Sequence, residues 1–570
     1  MKKNDFLTGI CEQIGYNGEG IFHIEGTTFF VPYCLCGEKV TFKVLKVKNG
    51  IGYGKVQTVL EESPDRVTPK CPVFTKCGGC QLLHANYKTQ LQIKKQTVEN
   101  AFKKIANIKA CVENVYFSED EFFYRNKLQL PVRDQKGKVA VGFFRENSHD
   151  IVETDDYIIQ PAWCKDVIKI IKDFVDGKKV TAYNEITKKG LVRHVVVREI
   201  DGEFIFTIVI NGDKINGVNG LIDRLSDKFG KISVYLNINK MDNNVILGDK
   251  FVLLYGDGKI TLNEFGITYK IGPQSFMQVN NKVKKMLYEK VTSLAKEDDE
   301  YVVIDGYSGA GVLTAMLCKD AKRAYGVEII KEAVDSANQL AIDNCLKDKM
   351  TNIAAPCEDV LPDLIKKEAQ NKTVLVLDPP RKGVDLNILQ AALNAKPDKI
   401  IYVACSPQSV ARDVGVLTDT LKVEGGKITG FNPNPNPIYT IKSINLFDLF
   451  PQTKHVETLV LLSHKEPDSR ISVKVEFGEK EGQISLSETQ KQVEDSKPKA
   501  KTTYKQIQKY VEENYGFKVH TAYIAEVKRD LCLPMYDAPN AVEELKRPRS
   551  HPTDEMVEAI KDALKHFEII

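Results

Sequence analysis

The sequence predicts a multidomain protein: a small N-terminal β-barrel, a central α+β domain, a doubly wound α/β domain and an extra small helical module at the end. Three observations carry that prediction. A chain of 570 residues exceeds what one hydrophobic core organises. Short alternating apolar runs punctuated by glycine fill the first sixty residues, whereas apolar runs closed by breakers recur between residues 301 and 462. A charged stretch rich in Lys, Glu, Gln and Ser then separates a last, helically patterned segment from the rest. The expected boundaries are 1–60 for the barrel, 61–270 for the central domain, 271–465 for the α/β domain, 466–502 for the linker and 503–570 for the helical module.

Composition restricts the class. With 42% apolar and 28% charged residues the chain reads as a soluble globular protein. It holds no run of about 18 apolar residues, and Met1-Lys2-Lys3-Asn4-Asp5 opens no signal segment, so a cytoplasmic location and no membrane partner are expected. Thirteen cysteines in such a chain point to core, ligand and catalytic roles rather than disulfides. A net charge of +3 does not by itself argue for nucleic acid.

In the barrel the runs are residues 20–24, 28–31 and 39–44, alternating as half-buried strands do. Barrels of this OB-like kind bind single-stranded RNA or serve as structure. Next come Cys71, Cys77 and Cys80, spaced C-x5-C-x2-C, with Gly78 and Gly79 easing the turn. Three thiolates and a fourth ligand would hold an iron–sulfur cluster or a tetrahedral zinc, and spacing does not choose between them. Residues 82–107 follow with helical, lysine-rich patterning: six lysines against one glutamate between Tyr87 and Lys109, either a solvated face or an RNA contact. Residues 124–130 and 191–198 then read as strands on which Arg and His alternate with apolar residues.

The chemistry concentrates further on. Residues 400–404 form an apolar run that stops on Cys405 and a Ser406-Pro407 breaker, so the thiol sits where a buried strand meets its loop. Open α/β sheets place their ligands at that edge, and an ionised thiol is a potent nucleophile. Residues 374–377 likewise end on Asp378-Pro379-Pro380-Arg381, and residues 448–457 lead through Glu457 into the apolar stretch 458–462. A cysteine, an aspartate and a glutamate on strand ends suggest covalent catalysis with a general base. Residues 301–311 run from strand through a glycine-rich turn to helix, and residues 323–328 end a second strand on Glu328. That Rossmann-like layout is a nucleoside cofactor site, with Glu328 placed to accept the ribose hydroxyls. Asp305 would repel a pyrophosphate and attract an ammonium, so S-adenosylmethionine fits better than NAD.

Together these segments resemble the RNA (uracil-5-)-methyltransferase family, closest to its 23S rRNA branch, over roughly residues 1–465. The motifs are Asp378-Pro379-Pro380-Arg381, Cys405-Ser406-Pro407 with Ala411-Arg412-Asp413, the 450–457 segment ending His455-Val456-Glu457, and Gly272-Pro273-Gln274-Ser275 through Gln278 to Asn280. The resemblance implies a TRAM domain at the N-terminus and a Rossmann-like methyltransferase domain at 271–465. It implies S-adenosylmethionine bound by Gln278, Tyr307, Glu328 and Asp378, with Cys405 as nucleophile and Glu457 as proton acceptor. Arg412 and Lys454 are candidates for phosphate or carboxylate contact, or for a structural salt bridge. The expected partner is RNA, 23S rRNA first, with a transfer RNA T-loop uridine as the alternative; a monomer is expected and DNA is not. A non-catalytic RNA assembly factor and a redox sensor built on the cysteines are the rival classes.

One departure concerns the 4Fe-4S cluster of that branch, whose fourth cysteine normally stands shortly before an Ile-Gln pair. Here residues 153–158 before Ile159-Gln160 contain none, which leaves Cys164 or an aspartate as fourth ligand, or an incomplete cluster. The resemblance does not extend to residues 503–570. From Lys497 onward 13 basic residues face 12 acidic ones, so this helical module shows no basic footprint.

Overall fold

A computed structural model describes residues 1–464 apart from 147, 156 and 433, together with 504–531 and 552–567. The expected linker and the stretch between the last helices lie outside the described residues, as does Asp156. The chain divides into two units, Met1–Glu466 and Pro467–Ile570.

The first sixty residues form a six-stranded sheet in the order Phe6–Ile10, Lys39–Lys48, Ile51–Glu61, Thr27–Pro32, Glu19–Ile24, Gln13–Ile14. Its two edge strands are consecutive in the chain and separated only by Cys11 and Glu12, so the sheet must curl on itself. Inward-facing Phe22, Phe29, Val31, Val40, Phe42 and Val44 fill the interior, each on the alternate positions that the period of two requires. The strands that the alternation predicts are these.

A second six-stranded sheet runs Lys250–Tyr255, Ile232–Ile238, Glu203–Ile210, Val192–Ile200, Lys127–Gln135, Lys138–Val141. Helices Cys164–Phe174 and Val218–Phe229 contribute to its core through Val167, Ile171, Leu221 and Leu225. The polar residues of Val192–Ile200 are buried rather than displayed: Arg193, His194 and Arg198 are each under a tenth exposed.

The third sheet has eight strands, in the order Met350–Ala354, Arg323–Glu328, Tyr301–Gly306, Lys372–Leu377, Lys399–Ala404, Glu457–His464, Tyr439–Phe447, Asn114–Tyr116. The first five are parallel, and Glu457–His464 enters antiparallel. Both faces are covered, as a parallel sheet requires. Val302, Ile304, Leu375, Leu377 and Tyr402 face one core, while Val303, Val374, Val376, Ile401 and Val403 face the other. The chain reverses its strand order at Tyr301–Gly306, the point at which open α/β sheets open a crevice. Two pieces come from far upstream: the edge strand Asn114–Tyr116, and helix Tyr87–Ala106, whose Val98 and Phe102 join the core of Val410 and Val414.

The second unit, taken by itself, contains helices Tyr504–Tyr515, Thr521–Asp530 and Asp554–His566 around Ile507, Val511, Ile524, Ile560 and Leu564. No helix among the described residues is long and apolar enough to cross a membrane.

Candidate active site

Cys405 follows strand Lys399–Ala404 immediately and precedes helix Pro407–Leu417, for which Ser406 is the N-cap. A helix N-terminus favours a thiolate. Strand Glu457–His464 pairs antiparallel with the same strand, Ala404 opposite Thr458, so one further step of the register sets Cys405 against Glu457. Leu377 is aligned with Tyr402 on one side and Gly306 on the other, which brings Asp378 to the same edge; its N–H donates to the Gly306 carbonyl at 3.4 Å. The three residues that the sequence marks at strand ends are therefore gathered by sheet register.

Their electrostatics are those of a crowded acidic pocket. Burial pushes the Cys405 thiol up, Glu457 and Asp378 push it further, and a contact with Arg381 opposes both. Glu457, 3% exposed, is held well above the usual carboxylate range by burial and then by Asp378, again opposed by Arg381. Burial lifts Asp378 to about 7. Asp305, 1% exposed, also rises to about 7 from burial, although its carboxylate accepts the Thr314 hydroxyl at 2.5 Å. Tyr288, on helix Asn281–Ala295, lies within reach of Asp378, Asp305, Glu264 and Glu457, and burial raises its phenol. Carboxyls so poorly compensated favour a cationic ligand.

The expected cofactor residues occupy the adjoining strand ends. Tyr307 has a φ of +66° at the start of the glycine turn, and its N–H donates to Cys357 Sγ at 3.3 Å. Glu328 fixes that turn: one carboxylate oxygen accepts from Gly309 N at 3.1 Å and the other from Ile330 N at 2.9 Å. A β-carbon on Gly309 would meet nothing within 4 Å, so the turn faces open space. Gln278 is buried, its carbonyl accepting from Asn126 Nδ2 at 3.0 Å. Nearby, Asn280 Nδ2 is buried without a partner. An open glycine turn, an orphaned amide and a set of buried acids fit S-adenosylmethionine, which carries an ammonium and a sulfonium.

The segment leading to Glu457 is braced from a distance. Asp448 accepts Lys94 Nζ at 2.6 Å and the Tyr87 hydroxyl at 2.9 Å, and Lys94 is 1% exposed. Lys94 also donates to the Phe450 carbonyl at 3.0 Å. Gln90 bonds Gln452, whose carbonyl accepts from the N–H groups of Gln81 and Leu82 at 3.2 and 3.1 Å. The lysine-rich helix is thus partly a buried buttress. Arg412 is structural: it pairs with Asp413 at 2.6 Å and donates to the Lys382 carbonyl. Tyr288 and Lys94 carried no signal of their own, and Arg381 only that of its motif, because their roles arise from contacts distant in sequence.

The iron–sulfur expectation finds no support among the described residues. Among the described residues no three His, Cys, Asp or Glu side chains are placed to hold a metal ion. Cys71 and Cys80 pack around Leu83, Ile158 and Ile159, whereas Cys77 and Cys164 belong to the core of the central sheet. Cys164, 4% exposed at the start of its helix, has its thiol pushed up to about 12 by burial, and Cys80 likewise. Tyr157 lies close to both Cys77 and Cys164. Cys80 nonetheless lies within reach of Cys71 and Cys77, and Cys77 within reach of Cys71.

Residues 86–465 match the family described as tRNA (Uracil-5-)-methyltransferase. An uncharacterised RNA methyltransferase of Clostridium tetani is 36% identical over 471 residues, 81% of this chain and 97% of that protein. Another, from Halalkalibacterium halodurans, is 35% identical across 82% of this chain and 98% of its own. Among solved structures, the Pyrococcus abyssi tRNA (uracil-54, C5)-methyltransferase in complex with S-adenosyl-L-homocysteine shares the fold, with a TM-score of 0.62, 24% identity, and coverage of 80% of this chain and 100% of that one. The chain belongs to the tRNA (uracil-5-)-methyltransferase family and is an S-adenosylmethionine-dependent RNA methyltransferase.

Proposed function

We propose that the protein methylates C5 of a specific uridine in 23S rRNA through a covalent cysteine–C6 adduct, with the N-terminal barrel as a TRAM-like RNA-holding domain. The observation that carries the reading is the register that sets Cys405 against Glu457, with Arg381 at the thiol. Uracil C5 is a weak nucleophile. The Cys405 thiolate adds to C6, forming an S–C6 bond and moving the ring electron pair toward C5 and O4. Arg381 favours the ionised thiol that this step needs. S-adenosylmethionine, when bound, supplies the methyl group; Gln278, Tyr307, Glu328 and Asp378 would hold it. Glu457 then takes the proton left on C5, the S–C6 bond breaks, and the thiolate is released as the C5–C6 double bond returns. A carboxylate held above its usual range is a base strong enough for that proton. The target uridine must leave its stack to reach a thiol at a sheet edge.

The experiment offers labelled methyl donor with either 23S rRNA or bulk tRNA to the wild type and to Cys405→Ala. Wild type is expected to label 23S rRNA at uracil C5, and the variant to lose at least ~10³-fold of that rate. Labelling of tRNA alone would replace the substrate with a transfer RNA uridine and leave the chemistry standing.

A further inference from the structure

The segment that carries Gln278 belongs to no strand or helix: residues 272–280 run from strand Ile267–Ile271 to helix Asn281–Ala295. Much of what fixes it comes from the central sheet. Arg198, on strand Val192–Ile200, donates from Nη2 to the Ser275 carbonyl at 2.7 Å. Arg125 and Asn280 form an isolated antiparallel bridge, and the Asn126 N–H donates to the Val279 carbonyl at 2.9 Å. Asn126 is itself held in place, because it directly precedes strand Lys127–Gln135 and its carbonyl accepts from Glu199 N at 3.0 Å. The order of the central sheet thus passes through residue 126 to the Gln278 segment.

The Asn126 side chain completes the attachment. It is 4% exposed, and its Nδ2 donates to the Gln278 carbonyl at 3.0 Å and to Asn281 Oδ1 at 2.7 Å. Asn280 caps the helix that begins there, its Oδ1 accepting from Val283 N at 3.3 Å. One residue therefore secures the carbonyls of Gln278 and Val279 and the start of the following helix. A primary amide suits that task, since it offers two hydrogens on one nitrogen, where a hydroxyl offers one and a carboxylate none. A buried carbonyl deprived of its donor is costly, so without this amide the Gln278 segment would shift to find another.

We propose that Asn126 is a positioning residue for the cofactor: its side-chain amide sets the place of Gln278, and through it the central sheet governs affinity for S-adenosylmethionine. The inference rests on the reading above that gives Gln278 to that cofactor. Asn126 acts through Gln278 and not on the reacting atoms, so its mark falls on cofactor affinity and not on the chemical step.

The test uses the full-length protein. S-adenosyl-L-homocysteine is titrated calorimetrically, without RNA, into the wild type, Gln278→Ala, Asn126→Ala, Asn126→Asp and Asn281→Ala. Asn126→Ala loses the bond to the Gln278 carbonyl and is expected to weaken binding about fivefold, the worth of one neutral hydrogen bond. Asn126→Asp keeps the shape but turns an acceptor toward two oxygens, and weakens binding about tenfold or more at mildly alkaline pH. Asn281→Ala removes the second acceptor alone and stays within about twofold of wild type. In steady-state methylation both Asn126 variants raise KM for S-adenosylmethionine by the same factors. Their kcat at saturating cofactor and their KM for RNA keep wild-type values, a split that general loosening of the fold would not give. Wild-type affinity in both Asn126 variants, with Gln278→Ala impaired, would overturn the proposal. So would an Asn281→Ala loss equal to that of Asn126→Ala, which assigns the effect to the helix start, or a kcat that falls in step with affinity. If Gln278→Ala itself binds like the wild type, the cofactor reading of Gln278 fails and this inference falls with it.

Discussion

At the edge of the eight-stranded sheet, Asp305, Glu328, Asp378, Cys405 and Glu457 stand at the ends of five strands spread over more than 150 positions, yet they meet. In the cysteine segment, Cys71, Cys77 and Cys80 lie within ten positions, yet no metal site of three or more ligands forms among the described residues. The difference lies in what fixes each group. Parallel register is set by backbone hydrogen bonds and by buried faces, and a slip of one residue would turn every side chain of a strand to the other face. Residues at the ends of adjacent strands therefore converge whatever the length of chain between them. Loop cysteines have no such constraint. Cys71 and Cys80 pack against one apolar cluster and Cys77 with Cys164 against another, although Cys80 stays within reach of Cys71 and Cys77.

The comparison breaks most visibly at Glu457. In Glu457→Gln the register and the thiol stay, but the proton acceptor is gone. The expected result is a roughly 10³-fold loss of product together with accumulation of a protein–RNA adduct, seen as a band that survives denaturation. Product loss without the adduct would move the base to another residue.

Lys94 is the next largest lever, because it tests whether the catalytic edge depends on the distant helix. Replacing Lys94 with Met leaves Asp448 buried and short of its cation, which costs about 3–5 kcal/mol of unfolding free energy. Substituting Met at 94 together with Asn at 448 removes the uncompensated charge and is expected to recover most of that loss. Chemical denaturation of the two variants checks both values. Equal losses would mean that shape, not charge, holds the 448–455 segment.

This helix also marks where the sequence stops being legible. Apolar runs ending on Asp378, Cys405 and Glu328 announced their places, because a buried strand and its breaker are local patterns. The six lysines between Tyr87 and Lys109 read as a solvated face or an RNA contact, and nothing local tells that Lys94 meets a carboxylate 354 positions away. Asn114–Tyr116 is too short to show a period, and it is a strand only because Tyr439–Phe447 offers it an edge. Arg381 was visible as the last residue of a motif, but its action on the Cys405 thiol follows from the loop's fold.

Arg381 gives a smaller, pH-resolved effect. Burial, Glu457 and Asp378 all raise the thiol and Arg381 lowers it, so Arg381→Gln moves the thiol further up. The reactive form is the thiolate, and less of it is present at any given pH below that value. Adduct formation at neutral pH is expected to fall about ten- to hundredfold, with the rising limb of the pH profile displaced to higher pH and the rate regained there. A uniform loss at every pH would instead assign Arg381 to RNA binding.

Cys164 makes the smallest change and sharpens the comparison from its other side. It is packed among aliphatic side chains of the central sheet, and burial keeps its thiol protonated. Cys164→Ala removes one sulfur from a small apolar site, at a cost of about 1 kcal/mol in thermal or chemical unfolding. Methylation is expected to stay within about twofold of wild type, because Cys164 lies in the core of the central sheet, whereas the loop that leads to Glu457 is held through Gln81 and Leu82 at Gln452. The same variant reports on the cysteine segment through metal content. If purified wild type carried bound iron or zinc and Cys164→Ala lost it, the four thiols would converge in solution after all. The contrast between register-fixed and loop-borne residues would then fail at its loop-borne half.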